Sequence, residues 1–410
     1  DLAFSPDSHQ LAFIKGPDLG DEDDPVKSFK TIISSTVQII DLKTKKREAF
    51  LMEDLWGIEG WTHDGKKLVG TKQAGTKKKI YEYDIQSKTL TFKDTPNIPV
   101  VYGLVLSQNH RYIGFLGESF SRPAEVYVSS LEDFKPKKIN AIHNKIDLSQ
   151  IEAKSLTWKS FDGLEIEGIL VYPQNYRAGE KVPLIVSIHG GPAGAESEQF
   201  IGRTWFGYSP AVFSSSGYAT LFVNYRGSIG YGTKFTKLSY QNLGRGDYQD
   251  IMAGVDFLIK EGIADPKQLF ITGHSYGGFM TAWAISHTNR FKAAVVKAGI
   301  SDWISDIALT DAPQFMESLF GSFYWDNYAL YRDSSPLNYV NDIKTPTLIL
   351  HGLYDERVSF SQAQQLYQAL KAKKVPTQLF LYLEQEHGIS SPSAVIDSLK
   401  EQLKWFEKYK

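Results

Sequence analysis

Two rhythms of apolar and polar positions divide this chain. Up to about residue 150, short apolar runs recur behind the same polar punctuation. Phe4-Ser5-Pro6-Asp7-Ser8, Trp61-Thr62-His63-Asp64-Gly65 and Leu106-Ser107-Gln108-Asn109-His110 stand 57 and 45 residues apart. Each leads into a strand-like run: Leu11-Ala12-Phe13-Ile14, Leu68-Val69-Gly70 and Tyr112-Ile113-Gly114-Phe115. A second such run and a polar turn follow in each case: Val37-Gln38-Ile39-Ile40-Asp41-Leu42, Ile80-Tyr81-Glu82-Tyr83-Asp84-Ile85 and Val126-Tyr127-Val128-Ser129. A period of roughly 45 residues with four short strands predicts a β-propeller blade. Three blades do not close a ring, because propellers have about four to eight. The chain also starts on Asp1, inside a blade. Residues 1–150 are therefore expected to be a partial β-propeller of about three blades, with earlier blades upstream.

From residue 151 the rhythm changes. Continuous apolar runs (Pro183–Ile188, Gln268–Thr272, Thr347–Leu350, Gln378–Leu383) alternate with longer helical-looking ones such as Ile251–Ile259 and Gly278–Ile285. Buried strands separated by helices predict an α/β domain built on a mostly parallel, doubly wound sheet over residues 151–410.

The first candidate chemistry lies at one strand-to-helix junction, Gly273-His274-Ser275-Tyr276-Gly277. Strand, Gly-x-Ser-x-Gly, helix is the nucleophile elbow of the α/β-hydrolases. A Cβ two residues to either side of the serine is expected to clash with backbone, and glycine removes that clash. A serine hydroxyl needs a base to take its proton and an acid to orient the base, in the chain order Ser, Asp or Glu, His. Three histidines follow Ser275. His287 lies about three turns into the next helix, and His351 reads as a histidine at the end of a strand. His387, in a loop between the last apolar run and the last helix, is the expected base. Asp355, directly after the strand from Pro346, is the expected acid, with Glu356 as runner-up. Asp302, Asp306, Asp311, Asp326, Asp333 and Asp342 read as solvated, turn or capping carboxylates. All three chosen positions follow strand runs at carboxyl ends, where open α/β sheets place their ligands.

Attack on a carbonyl also needs two preorganised N–H donors for the oxyanion. Tyr276, the residue after the nucleophile, supplies one, and Gly190 or Gly191 in the loop after Pro183–Ile188 supplies the other.

From about Ser155 to Lys410 the chain resembles the catalytic domain of the prolyl oligopeptidase family of serine peptidases, most closely its acylaminoacyl-peptidase-like branch. The matching motifs are His189-Gly190-Gly191-Pro192, Asn224-Tyr225-Arg226-Gly227-Ser228-Ile229-Gly230-Tyr231-Gly232, Gly273-His274-Ser275-Tyr276-Gly277-Gly278, Asp355-Glu356-Arg357-Val358 and Glu386-His387-Gly388. Their intervals, 80 residues from Ser275 to Asp355 and 32 from there to His387, fit as well. The resemblance implies a Ser275–Asp355–His387 triad with the Tyr276 and Gly191 amides as oxyanion hole. It implies that Arg357 holds a substrate carbonyl, a task suited to a fixed fork of donors; an ion pair with Glu356 or a nearby acid is the alternative. Tyr276, Ile300, Trp303 and Val358 match positions of an apolar pocket for the residue before the cut bond, and each also suits ordinary core. Arg226 is expected to buttress loops. Family members carry a full propeller over the active site, and this chain departs from that pattern by lacking most of it.

Composition narrows the field only modestly. With 42% hydrophobic residues over 410 positions there is material for two cores. A formal net charge of −2 gives no reason to expect nucleic acid or an anionic membrane as partner. No stretch approaches the roughly 20 apolar residues of a membrane span. The absence of cysteine removes disulfides and thiolate chemistry, and no metal or other cofactor is expected. Asp21-Glu22-Asp23-Asp24 reads as a solvated insertion. Lys43–Arg47 and Lys77–Lys79 read as edge lysines at turns. Asp247 and Asp250 suit the start of a helix, and Glu384-Gln385-Glu386-His387 lacks the two-histidine spacing of a zinc protease.

The expected function is hydrolysis of short peptides through an acyl-enzyme, in aminoacyl or acylaminoacyl, dipeptidyl or oligopeptidase mode. A carboxylesterase or lipase could use the same triad, since fold does not set substrate; Arg357 and the propeller repeats favour peptide. A non-catalytic propeller–hydrolase platform is the reading from another class. Peptides are the expected partners, the cytoplasm the expected location, and homo-oligomer assembly is left open.

Overall fold

The computed structural model describes residues 2–15, 35–140, 142–143, 145–204 and 208–410; the acidic run Asp21–Asp24 lies outside them. The chain divides into two compact units. The first comprises Asp1–Ser149 with Ser197–Ile201 and Ile229–Thr236, and the second Gln150–Glu196, Gly202–Ser228 and Lys237–Lys410.

The first unit holds three four-stranded antiparallel blades in chain order. They are β1–β4 (Leu2–Phe4, Gln10–Lys15, Ser35–Asp41, Arg47–Met52), β5–β8 (Leu55–Trp61, Lys67–Ala74, Lys77–Asp84, Thr89–Phe92) and β9–β12 (Val100–Leu106, Tyr112–Ser119, Arg122–Ser130, Lys137–Lys138). One parallel bridge, Lys78 to Val100, joins the second and third. The recurring polar motif forms the turn between the first two strands of every blade, and its chemistry is the same each time. The hydroxyl of Ser5, Thr62 or Ser107 donates to the side chain of Asp7, Asp64 or Asn109 and accepts from the N–H of Gln10, Lys67 or Tyr112. The next residue, Ser8, Gly65 or His110, has φ of 60°, 67° or 55°. Blade faces are joined by apolar packing. Ala12, Val37, Ile39, Trp61 and Tyr81 belong to one buried cluster and Val69, Ile80, Val101, Ile113 and Phe115 to the next. Trp61 Nε1 also donates to Ala3 O at 2.9 Å.

The second unit is an eight-stranded sheet in the order β13-β14-β16-β15-β17-β18-β19-β20. Its strands are β13 (Ala153–Lys159), β14 (Glu165–Val171), β15 (Val182–Ile188), β16 (Ala219–Asn224), β17 (Ala264–His274), β18 (Phe291–Lys297), β19 (Thr347–Gly352) and β20 (Thr377–Tyr382). β13 and β14 pair antiparallel and β15 to β20 run parallel. β16 and β19 are buried at every position, as expected of strands covered on both faces. From β15 the chain steps outward to β16 and returns to β17 on the other side. That reversal opens a crevice at the carboxyl ends of β15 and β17, where Gly190 and Ser275 lie.

Candidate active site

β17 ends at His274, and the helix Tyr276–His287 starts one residue after Ser275. Ser275 makes the whole turn, at φ 60° and ψ −123°, a left-handed backbone that costs a side-chain-bearing residue of order 1–3 kcal/mol. Its neighbours show why glycine is needed. A Cβ on Gly277 would come 2.0 Å from Ile188 O, and one on Gly273 2.2 Å from Gly277 O. Ser275 N donates to Lys297 O at 3.0 Å, tying the elbow to β18.

Three strand ends bring the expected side chains together. Ser275 Oγ lies 2.9 Å from His387 Nε2, and His387 Nδ1 lies 2.8 and 3.0 Å from the two Asp355 oxygens. An imidazole carrying its proton on Nδ1 donates to Asp355 and accepts from the serine hydroxyl. Burial pushes the Asp355 carboxyl up, but hydrogen bonds from His351 and His387 outweigh it and hold the group well below the usual carboxylate range. The base loop is pinned as well. Tyr354 N donates to Gln385 O at 2.9 Å, and a Cβ on Gly352 would meet Glu386 O at 2.1 Å. His274 Nε2 donates to His387 O at 2.6 Å, and burial first, then the neighbouring His387, holds His274 well below the ordinary histidine range.

The glycine loop abuts the nucleophile. A Cβ on Gly190 would lie 3.1 Å from Ser275 Cβ, and Gly191 sits at φ 134° before a cis bond to Pro192. The N–H groups of Tyr276 and Gly191 donate to no acceptor among the described residues. The Tyr276 ring is fixed from below. Its hydroxyl donates to Asp247, which also accepts from Gly244 N and Tyr248 N.

Asp247 and Asp250 are therefore more than helix-start carboxylates, since both are wholly buried. Burial pushes Asp247 up to about 6, opposed by the bond from Tyr276. Asp250 accepts from Arg226, which also grips Asp162 at 2.9 and 3.1 Å. Arg226 thus buttresses the loop after β16, against the helix Gly246–Lys260 and the β13–β14 turn.

The remaining expected residues fall differently. Ile300, Trp303, Val358 and Tyr276 are all buried, at 3%, 0%, 1% and 1% exposure; Trp303 packs edge-on against Phe279 and Phe320. Arg357 is half exposed and pairs with Asp311 through Nε and Nη2, rather than with Glu356. Asp306 overturns its reading as a solvated carboxylate. It is buried with neither oxygen partnered, and burial and nearby Asp355 push it well above the usual range. Sequence gave little warning of two further buried groups. His351 reaches Asp355 from within β19, and the Lys297 amine, unpartnered, is pushed down to about 7 by burial and lies 4.2 Å over the Tyr208 ring. A lysine closing the apolar run Ala293–Val296 was the available signal for Lys297. Among the described residues, no cluster of three or more His, Asp or Glu side chains is arranged to hold a metal, and no helix is long and apolar enough to cross a membrane.

The model of the prolyl oligopeptidase family matches residues 204–410, half of the chain. The chain is 33% identical over 359 residues to the uncharacterized peptidase YuxL of Bacillus subtilis (strain 168), covering 85% of this chain and 53% of that protein. Its fold matches an acylaminoacyl peptidase of Pyrococcus horikoshii at TM-score 0.77 and 26% identity, covering 92% of this chain and 61% of that one. A puromycin-hydrolyzing peptidase of Mycobacterium tuberculosis matches at TM-score 0.81 and 22% identity, over 100% of this chain and 69% of that one, a likeness of fold. The chain spans about half the length of the curated relatives it matches. It belongs to the prolyl oligopeptidase family, and its fold is an α/β-hydrolase domain preceded by propeller blades.

Proposed function

We propose that this chain is a serine peptidase that hydrolyses short peptides through an acyl-enzyme. The observation that carries the reading is the unbroken relay from Ser275 Oγ through both His387 nitrogens to Asp355, beside two unengaged backbone donors.

Ser275 attacks the scissile carbonyl as His387 Nε2 takes its proton, and Asp355 stabilises the imidazolium. The oxyanion points toward the Tyr276 and Gly191 N–H groups, each worth about 10²–10³ in rate. His387 then protonates the departing amine, and a water attacks the ester by the reverse path to regenerate Ser275. Nη1 of Arg357 is left for a substrate carbonyl while Asp311 holds the other side of its fork. Because the curated relatives include acylamino-acid-releasing enzymes, N-acetylated peptides are the substrates to offer first.

A fluorophosphonate probe and paired p-nitroanilide and p-nitrophenyl ester substrates test the reading. Labelling of Ser275 with turnover of N-acetyl-peptide anilides is expected. Turnover of esters alone would transfer the chain to the esterases, and an unlabelled serine in folded protein would leave a binding platform.

A further inference from the structure

The Asp355 carboxylate faces two imidazoles, and the mechanism above uses one of them. His351, in β19, is fully buried; its Nε2 lies 2.7 Å from Val358 O and 3.2 Å from Asp355 Oδ2. A carbonyl oxygen can only accept, so the ring proton belongs on Nε2. Nδ1 is buried and has no partner. That agrees with the same neutral tautomer, since an orphaned N–H there would cost more than an orphaned lone pair.

The donors divide over the carboxylate. Oδ1 accepts from Arg357 N and Val358 N at 3.0 and 2.9 Å. Oδ2 is shared by His387 Nδ1 at 2.8 Å and His351 Nε2 at 3.2 Å. Backbone amides therefore fix one oxygen, and the His351 Nε2–H goes to Val358 O, the carbonyl that closes the Asp355–Val358 turn, with Oδ2 3.2 Å away. Other titratable or charged groups around this cluster are His274, against the His387 ring, Asp306 on the helix Trp303–Leu309, and the Arg357–Asp311 pair at the rim.

We propose that His351 is a positioning residue, whose Nε2–H holds the Asp355–Val358 turn through Val358 O, and with it the Asp355 carboxylate and the orientation of His387. The inference rests on the peptidase reading. The ring is fully buried and bonded to Val358 O, so its effect on the reaction passes through the turn that carries Asp355.

The test compares His351→Leu with His351→Gln in the full chain. Glutamine reaches about as far as histidine and keeps an N–H donor. Leucine is expected to lower kcat about 10²-fold, the scale of a small misplacement in a catalytic array, with KM unchanged. Glutamine restores most of kcat. A leucine variant with wild-type kcat overturns the proposal. Should leucine prevent folding, nitrogen-15 NMR of the unaltered chain decides. An Nε2–H tautomer of His351 supports the proposal and an Nδ1–H tautomer overturns it. An unaltered chain that neither labels nor turns over peptide sinks the peptidase reading, while the tautomer still settles the placement of His351.

Discussion

The two units solve their local problems in opposite ways. In the blades, one turn is built three times from a hydroxyl, a short acceptor and a left-handed residue within five positions of sequence. The hydrolase elbow occurs once, and almost everything that permits it is distant: Ile188 O blocks a Cβ at Gly277, Lys297 O takes the Ser275 N–H, and His387 arrives from 112 residues away. Repetition needs chemistry that closes over a few residues. A strained, single-copy site needs a rigid surround to hold it.

Buried charge sharpens the contrast. In the blades Glu82 is gripped by Lys67 at 3.0 Å and Lys93 at 2.6 Å, whereas Glu59, with one oxygen unpartnered, is pushed up to about 7 by burial against the opposing pull of Lys78. In the hydrolase unit Arg226 answers Asp250 in an ion pair, while the Lys297 amine has no hydrogen-bond partner and meets the face of the Tyr208 ring.

The largest expected effect is chemical. Ser275→Ala should cost about 10⁶ in peptide turnover while leaving the melting temperature of the chain in place, measured by anilide kinetics and calorimetry. Next comes a pair of glycines. Gly277→Ala meets backbone at 2.0 Å, whereas Gly65→Ala in a blade turn meets nothing nearer than 3.8 Å and carries only a φ of 67°. Urea unfolding should show losses of more than about 4 kcal/mol for the first and about 1 kcal/mol for the second. Equal losses would erase the distinction between the units.

The third comparison uses pH. Glu59 has a folded pKa above its unfolded value of 4.5, so its contribution is complete below that value and is lost as pH rises to about 7. Lys297 has a folded pKa near 7 against 10.5 unfolded, so its contribution is complete at high pH and is lost as pH falls to about 7. Lys297→Met should therefore stabilise by on the order of 5 kcal/mol below neutrality and by almost nothing above pH 10.5. Glu59→Gln, discounted for its partial exposure, should stabilise by about 2 kcal/mol above pH 7 and by nothing below pH 4.5. Thermal melts across pH check both, and the opposite slopes are the point at issue. The smallest effect is Thr62→Val, expected to cost about 1 kcal/mol for the two part-buried hydrogen bonds of one turn, with labelling at Ser275 unchanged.

Much of this was legible along the chain because its determinants are local. The blade turns announce themselves through Ser or Thr two residues before Asp or Asn, and the elbow through glycines flanking Ser275. His387 and Asp355 were expected from strand-end position and chain order, and their side chains meet Ser275 in one hydrogen-bonded row. Other features had no local signature. Asp306 looked like any helix carboxylate, and Arg357 offered no hint that Asp311, 46 residues earlier, would hold it. His351 resembled a histidine at the end of a strand, which it is; its ring nevertheless binds the turn that carries Asp355.

The amino-acid sequence by itself determined the order of elements, the recurring turns, the elbow and which residue types could serve as nucleophile, acid and base. Periodicity, hydrogen bonding over two to five residues and the sterics of glycine act without knowledge of the rest of the molecule. Tertiary structure alone decided which polar groups are buried, which of those find partners, and how many donors converge on Asp355. Burial and pairing depend on distances between residues remote in sequence, and a charge acquires its cost or its usefulness only when the surrounding chain has excluded water from it.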